Sequence, residues 1–157
     1  ILYHDEYIGN PEIIYTQRSA RVSTHSGEVS FPGGKLDAND INLQETALRE
    51  THEEVGIHPK SINIIRELTA VYIPPSNFLA TPFLGYSSSK PNFILNHEVA
   101  KTIEVLVSDL LDEKNITSAI LDTSYTKNGE VPCFKIQDFI IWGATAMMLS
   151  EIKELLR

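Results

Sequence analysis

The chain has 157 residues, of which 42% are hydrophobic and 22% charged, and a formal net charge of −8 at pH 7. That is the size and balance of one globular domain with a single core, not of a disordered chain. Such acidity argues against a nucleic-acid polymer as partner, because phosphate backbones are held by basic patches. No run approaches the roughly 18 apolar residues that a membrane helix needs.

A small phosphate ligand remains compatible with this charge, provided a divalent cation mediates. The single cysteine, Cys133, can form no internal disulfide, which points to a reducing, cytoplasmic setting. No signal-peptide pattern is present, and an opening on Ile1 rather than methionine leads us to expect an incomplete N-terminus. The oligomeric state stays open, a homodimer included.

In chain order, "PEIIYTQRSA" reads as a strand rich in β-formers, and "EVSF" as a second, short one broken by the Pro32-Gly33-Gly34 turn. A helix is expected from Leu43 to Val55. Asn42 suits its N-cap, Glu45 completes a capping box, and Gly56 with His58-Pro59 ends it. Ala47, Leu48, Thr51 and Val55 supply its inward face. Strands are then expected at "SINIIREL", "TAVYI", "NFLATPFLGY" and "PNFIL", with turns at "PPSN" and "SSSKP". "HEVAKTIEVLVSDLLDE" combines a strand at "IEVLV" with a helical turn at "SDLLDE". "EVPCFKI" and "DFIIW" form a late hairpin, and "GATAMMLSEIKELLR" a terminal amphipathic helix. The run "FIIWGATAMML" reads as buried, with Trp142, Met147 and Met148 in the core. Mixed strands with few helices imply an α+β arrangement, an α/β/α sandwich in one domain.

The helix poses a charge problem. Glu50 and Glu54 are i, i+4 neighbours and Glu53 is i+3 from Glu50, so all three carboxylates share one side, and like charges at that spacing repel. A solvated charged face is the plain reading. Against it stand the single basic residue of the helix, Arg49, and the glycine turn in front, which lets bare backbone come close. Hard cations such as Mg²⁺ or Mn²⁺ take oxygen ligands of this kind, usually alongside substrate phosphates.

"GGKLDANDINLQETALRETHEEVGI" resembles the Nudix box, G-x5-E-x7-R-E-U-x-E-E-x-G-U with U bulky and apolar. Gly34, Arg49, Glu50, Glu53, Glu54, Gly56 and Ile57 match in order. The early glutamate slot holds Asp40, one residue too far from Arg49, and the apolar slot after Glu50 holds Thr51. The resemblance implies a Nudix-type α/β/α sandwich with a mixed sheet and a catalytic loop-helix-loop. It further implies hydrolysis of a diphosphate linked to another group, with Mg²⁺ or Mn²⁺ as cofactor. On this likeness Glu50 and Glu54 are the primary metal ligands, Glu53 is a ligand or base, and the Gly34 backbone adds an oxygen. Arg49 orients the carboxylates through its i, i+4 contact to Glu53.

"IIYTQRSARVSTHSGEVSFPGG" resembles the signature of the coenzyme A diphosphatase branch, at Thr16, Arg18, Ser19, Gly27 and Phe31 to Gly34. Ser23 stands where that signature has its second arginine, with Arg21 two residues away. "VYIPPSNFLATPFLGY" and the terminal "FIIWGATAMML" look like the same branch. Arg18, Arg21 and His25 are the substrate-binding candidates. Each taken alone also reads as ordinary surface charge or, for His25, a loop histidine. Glu98 falls where the branch has a distal acid that serves the metal or the attacking water, and reads equally as an exposed charge at a helix start; His97 is a weaker candidate for the same work. The implied reaction is hydrolysis of coenzyme A or its derivatives to 4′-phosphopantetheine and adenosine 3′,5′-bisphosphate. The alternatives are a Nudix hydrolase of nucleotide sugars, dinucleotides or oxidised nucleotides, and a Nudix domain that binds a nucleotide without turnover.

Overall fold

The computed structural model describes residues 2–4, 11–19, 28–123 and 127–157. Its first part is a six-stranded mixed sheet built on β2 (Pro11–Arg18). On one edge of β2 lie β1 (Leu2–His4) and β3 (Val29–Ser30), and on the other β8 (Val99–Leu106), all antiparallel to it. β1 runs parallel to β7 (Phe83–Ser87), which pairs antiparallel with β4 (Asn63–Glu67). Alternation along β2 divides the core: Ile14 faces a cluster with Val55, Ile57 and Ile62, whereas Ile13 and Tyr15 face the larger cluster with Ile103, Val105, Leu110, Phe134 and Leu149.

The helix α1 (Leu43–Val55) covers the Ile14 face. The opposite face carries the short α2 (Val107–Leu111) and the terminal α3 (Gly143–Leu155), giving the α/β/α sandwich. A second, three-stranded antiparallel sheet joins β9 (Ile116–Leu121), β10 (Gly129–Ile136) and β11 (Phe139–Trp142). A third sheet is only a hairpin, β5 (Val71–Ile73) and β6 (Phe78–Ala80), closed by a 3₁₀ turn at Pro74–Ser76. Thr69 ties the hairpin to α3, its N–H and hydroxyl both donating to Glu151.

Several expectations need correction. "NFLATPFLGY" is two strands, because Thr81-Pro82 interrupts it and Pro82 has no N–H for a ladder. "PNFIL" is not a strand. Its backbone is claimed by the end of α1, where Ile94 N–H donates to the Val55 carbonyl and Asn96 N–H to that of Glu54. Gly56, at φ 78, gives room for this approach, since a Cβ there would lie 2.8 Å from Ile94 Cβ. β1 and the edge strand β9 were not expected. "FIIWGATAMML" is half strand and half helix, split at Gly143, and Met147 is 60% exposed while Trp142 and Met148 are half-buried. Among the described residues no helix is long and apolar enough to cross a membrane.

Candidate active site

The helix α1 begins and ends as its sequence dictates. Asn42 accepts the Glu45 N–H at 2.9 Å, and Glu45 reaches back to the Ile41 N–H at 3.0 Å, one residue before the cap itself. Gly56 closes the helix in the left-handed region. Thr51 and Val55 are buried and Ala47 and Leu48 half-buried, so the inward face is the expected one. Glu50 and Glu54 lie against the Gly33-Gly34 turn.

Arg49 organises three carboxylates at once. Its Nε and Nη2 fork onto Asp40 at 2.9 and 2.8 Å, Nη1 reaches Glu50 at 2.9 Å and Glu53 at 3.2 Å, and Nη2 also bonds the Lys35 carbonyl at 3.1 Å. These contacts hold the guanidinium firmly protonated and the Asp40 carboxyl well below the usual carboxylate range. Asp40 also accepts from the Thr46 hydroxyl and from its own loop at the Asp37 N–H, both at 2.9 Å. The residue inserted before Arg49 is thus absorbed by a loop that folds Asp40 back onto the helix. Its role was not foreseen, and its displaced place in the motif was the only signal of it.

Glu54 is different. It is buried, 8% exposed, and accepts the Gly33 N–H at 3.0 Å. Burial pushes its pKa up to about 7, and the Glu50 and Glu98 charges add to the rise, against the pull of the Gly33 N–H and of Arg18. A Cβ on Gly34 would fall 2.3 Å from the Glu50 carboxyl carbon, so Glu50 lies where only glycine leaves space. The turn therefore works as an N–H donor to one carboxylate and as a bare floor for another.

Glu98 joins this group. Its carbonyl accepts the Ser19 N–H at 2.7 Å, and its carboxylate lies 3.7 Å from Arg18 Nη2. The register between β2 and β8 slips between Gln17 and Arg18, which re-aims the end of β2 at this corner. Arg18 Nε is buried and, among the described residues, has no hydrogen-bond partner.

Glu50, Glu54, Glu98 and Arg18 are thus brought together, with Gly33 and Gly34 beneath. Glu53 meets the same Arg49 Nη1 as Glu50, with its side chain 53% exposed. Arg21 and His25 lie outside the described residues. Among the described residues no three acidic, imidazole or thiol groups converge on one point. Arg49 draws Glu50 and Glu53 to itself, leaving Glu54 as the least compensated acid of the set. The donors nonetheless fit a hard divalent cation: all are oxygens, and among the described residues the buried Glu54 charge has no cationic partner in hydrogen-bond contact.

A family model described as NUDIX domain matches residues 7–118. The chain belongs to the Nudix family. It is a Nudix hydrolase, of a family that acts on diphosphate bonds and in general uses divalent metal cations. Nudix hydrolase 3 of Caenorhabditis elegans is 29% identical over 167 residues, spanning 94% of this chain and 68% of that protein. A mitochondrial coenzyme A diphosphatase of Mus musculus is 35% identical over 151 residues, 89% of this chain and 68% of the relative. Among solved structures, the Nudix domain of Shewanella oneidensis NrtR, in a cocrystal with ADP-ribose, superposes with a TM-score of 0.60 at 14% identity, covering 99% of this chain and 84% of that one. That likeness bears on the Nudix fold alone.

Proposed function

We propose that this Nudix hydrolase, acting as one domain, cleaves the diphosphate of coenzyme A or its derivatives with Mg²⁺ or Mn²⁺, giving 4′-phosphopantetheine and adenosine 3′,5′-bisphosphate. The observation that carries the reading is the buried Glu54 carboxylate, under-compensated beside Glu50 and Glu98 and next to an arginine whose Nε has no hydrogen-bond partner among the described residues. The similarity to a coenzyme A diphosphatase supports the choice of substrate.

Glu50 and Glu54 would hold the cation, with the Gly34 carbonyl and Glu53 completing its shell. When bound, the cation neutralises the diphosphate oxygens and makes an attacking water more acidic. Glu98, or Glu53 once released from Arg49, takes the proton of that water. Arg49 acts by position, fixing Asp40, Glu50 and Glu53 around one guanidinium. Arg18, with Arg21 and His25, supplies the positive charge that an anionic nucleotide needs in so acidic a chain. A reducing compartment such as the cytoplasm suits the buried, unpaired Cys133.

The test is a panel of diphosphates with products identified by mass, run on the parent and on Arg18→Ala. Coenzyme A carries a 3′-phosphate that dephospho-coenzyme A lacks. A lost hydrogen bond to a charged group costs about 1.5–3 kcal/mol, or roughly 10- to 150-fold in kcat/KM. That loss is expected on coenzyme A and not on dephospho-coenzyme A. A parent enzyme without preference for coenzyme A would overturn the assignment of substrate.

A further inference from the structure

A cavity of about 630 Å³ borders the Gly33-Gly34 turn and Arg18, within the size range of small-molecule sites. Leu43 and Ala47 of α1, Phe78 of the β5–β6 hairpin, Phe83 of β7, and Thr145 and Met148 of α3 form its walls. Among the described residues its lining includes no acidic, amide or imidazole side chain. Its charged groups are Arg18 and Lys35, and Lys35 directly follows the turn. The Lys35 ammonium sits 4.9 Å from the centre of the Phe78 ring, so a cation–π contact joins the turn to the hairpin at the edge of the cavity.

The same two glycines touch both the carboxylates and the cavity. A ligand whose diphosphate lies at the carboxylates therefore has the group attached to it beside these apolar walls. A ribose or a second nucleoside would bury its hydroxyls and ring nitrogens largely against apolar walls with no carboxylate or amide to pair them, which is costly. An aliphatic chain gains by leaving water, and its occasional amide can meet the scattered hydroxyls of Thr81 and Thr145.

We propose that this cavity takes the uncharged, mainly aliphatic arm on one side of the diphosphate, and that Phe78, Thr145 and Met148 set its length and polarity. The proposal rests on the reading that the Glu50, Glu54 and Glu98 cluster handles the diphosphate. The enzyme then selects against sugar and dinucleotide diphosphates by the mainly apolar walls of its cavity, where six separate hydroxyls, Arg18 and Lys35 are the polar side chains among the described residues.

Binding of phosphate-free arms to the full metal-free chain tests this apart from turnover. Calorimetry is run with pantetheine, with its butanoyl and octanoyl thioesters, and with free ribose as the polar control. Butanoyl-pantetheine should bind about tenfold or more tighter than pantetheine, at about fourfold per buried methylene, and ribose should not bind. Thr145→Phe, which fills the cavity from α3, should weaken butanoyl-pantetheine at least tenfold with the thermal melt kept. Phe78→Ala changes a partly exposed ring and should shift the preference toward the octanoyl arm, which gives a reading even if Thr145→Phe does not fold. Absence of binding by every arm, equal binding of ribose, or an unchanged chain-length preference in Phe78→Ala would overturn the proposal. Arms that fail to bind while coenzyme A is hydrolysed would refute the cavity assignment alone. Arms that bind while coenzyme A is left intact would support the cavity and refute the substrate.

Discussion

Replacing Glu54 by glutamine separates the charge of this side chain from its shape. The amide oxygen can still accept the Gly33 N–H that Glu54 accepts at 3.0 Å, so the turn and helix keep their contact. In the parent the Glu54 pKa is about 7 against an ordinary 4.5. A carboxyl with a raised folded-state pKa is favoured in its protonated form. Its stabilising effect is complete below about pH 4.5 and is lost as pH rises through 7. At about 1.4 kcal/mol per pH unit the full shift amounts to about 3 kcal/mol, and residual solvent contact lowers the working figure to about 2 kcal/mol. Glutamine does not titrate. The stability of chelator-treated Glu54→Gln relative to the parent should therefore rise by about 2 kcal/mol between pH 5 and pH 8, by urea unfolding followed by circular dichroism. Turnover should fall at least about 100-fold, the scale of losing a group that acts in the transition state. A stability gap that is flat or reversed with pH, or a fully active variant, would refute the account of Glu54 as a strained and functional charge.

Turnover should vanish with chelator and return with Mg²⁺ or Mn²⁺; full activity in a metal-stripped sample would remove the basis of the mechanism. Gly34→Ala puts a methyl 2.3 Å from the Glu50 carboxyl carbon, and the flexible carboxylate gives way before the backbone does. Its melting temperature should barely move while turnover drops at least about tenfold, and equal losses in both would show the glycine to be structural. Asp40→Asn breaks the fork on Arg49 and should lower both turnover and melting temperature, with the stability loss confined to pH above the ordinary carboxylate range. A variant with parental kinetics would mean that Arg49 needs no anchor beyond Glu50 and Glu53.

What could be read from the sequence was local. Helix α1 ends where Asn42 and Gly56 place it because capping needs only neighbouring residues, and the three glutamates announced themselves by spacing. The Asp40 fork was hidden because the extra residue before Arg49 hides the match, and only the folded loop shows that the length is recovered. The Gly33 N–H as a partner of Glu54 depends on a contact across 21 residues, beyond any periodicity. Strand β9 escaped notice because it is an exposed edge, with Ile116 and Ile120 open to solvent and no alternation between inside and outside. "PNFIL" misled for the opposite reason: its β-formers are recruited by the end of a helix rather than by a sheet.

That recruitment sets a limit on how this chain can vary. Main-chain bonds run from the Val55 and Glu54 carbonyls to Ile94 and Asn96, the Asn96 side chain accepts the Glu98 N–H at 2.9 Å, and the Glu98 carbonyl receives Ser19 beside Arg18. The segment is a surface connection of the sort in which insertions and deletions normally accumulate. Here its length is a ruler. The exposed side chains of Ile94 and Leu95 can change with little effect, but one residue more or less would slide Glu98 out of its place beside Glu54 and carry it away from Arg18, so the segment should keep its count together with Phe93 and Asn96.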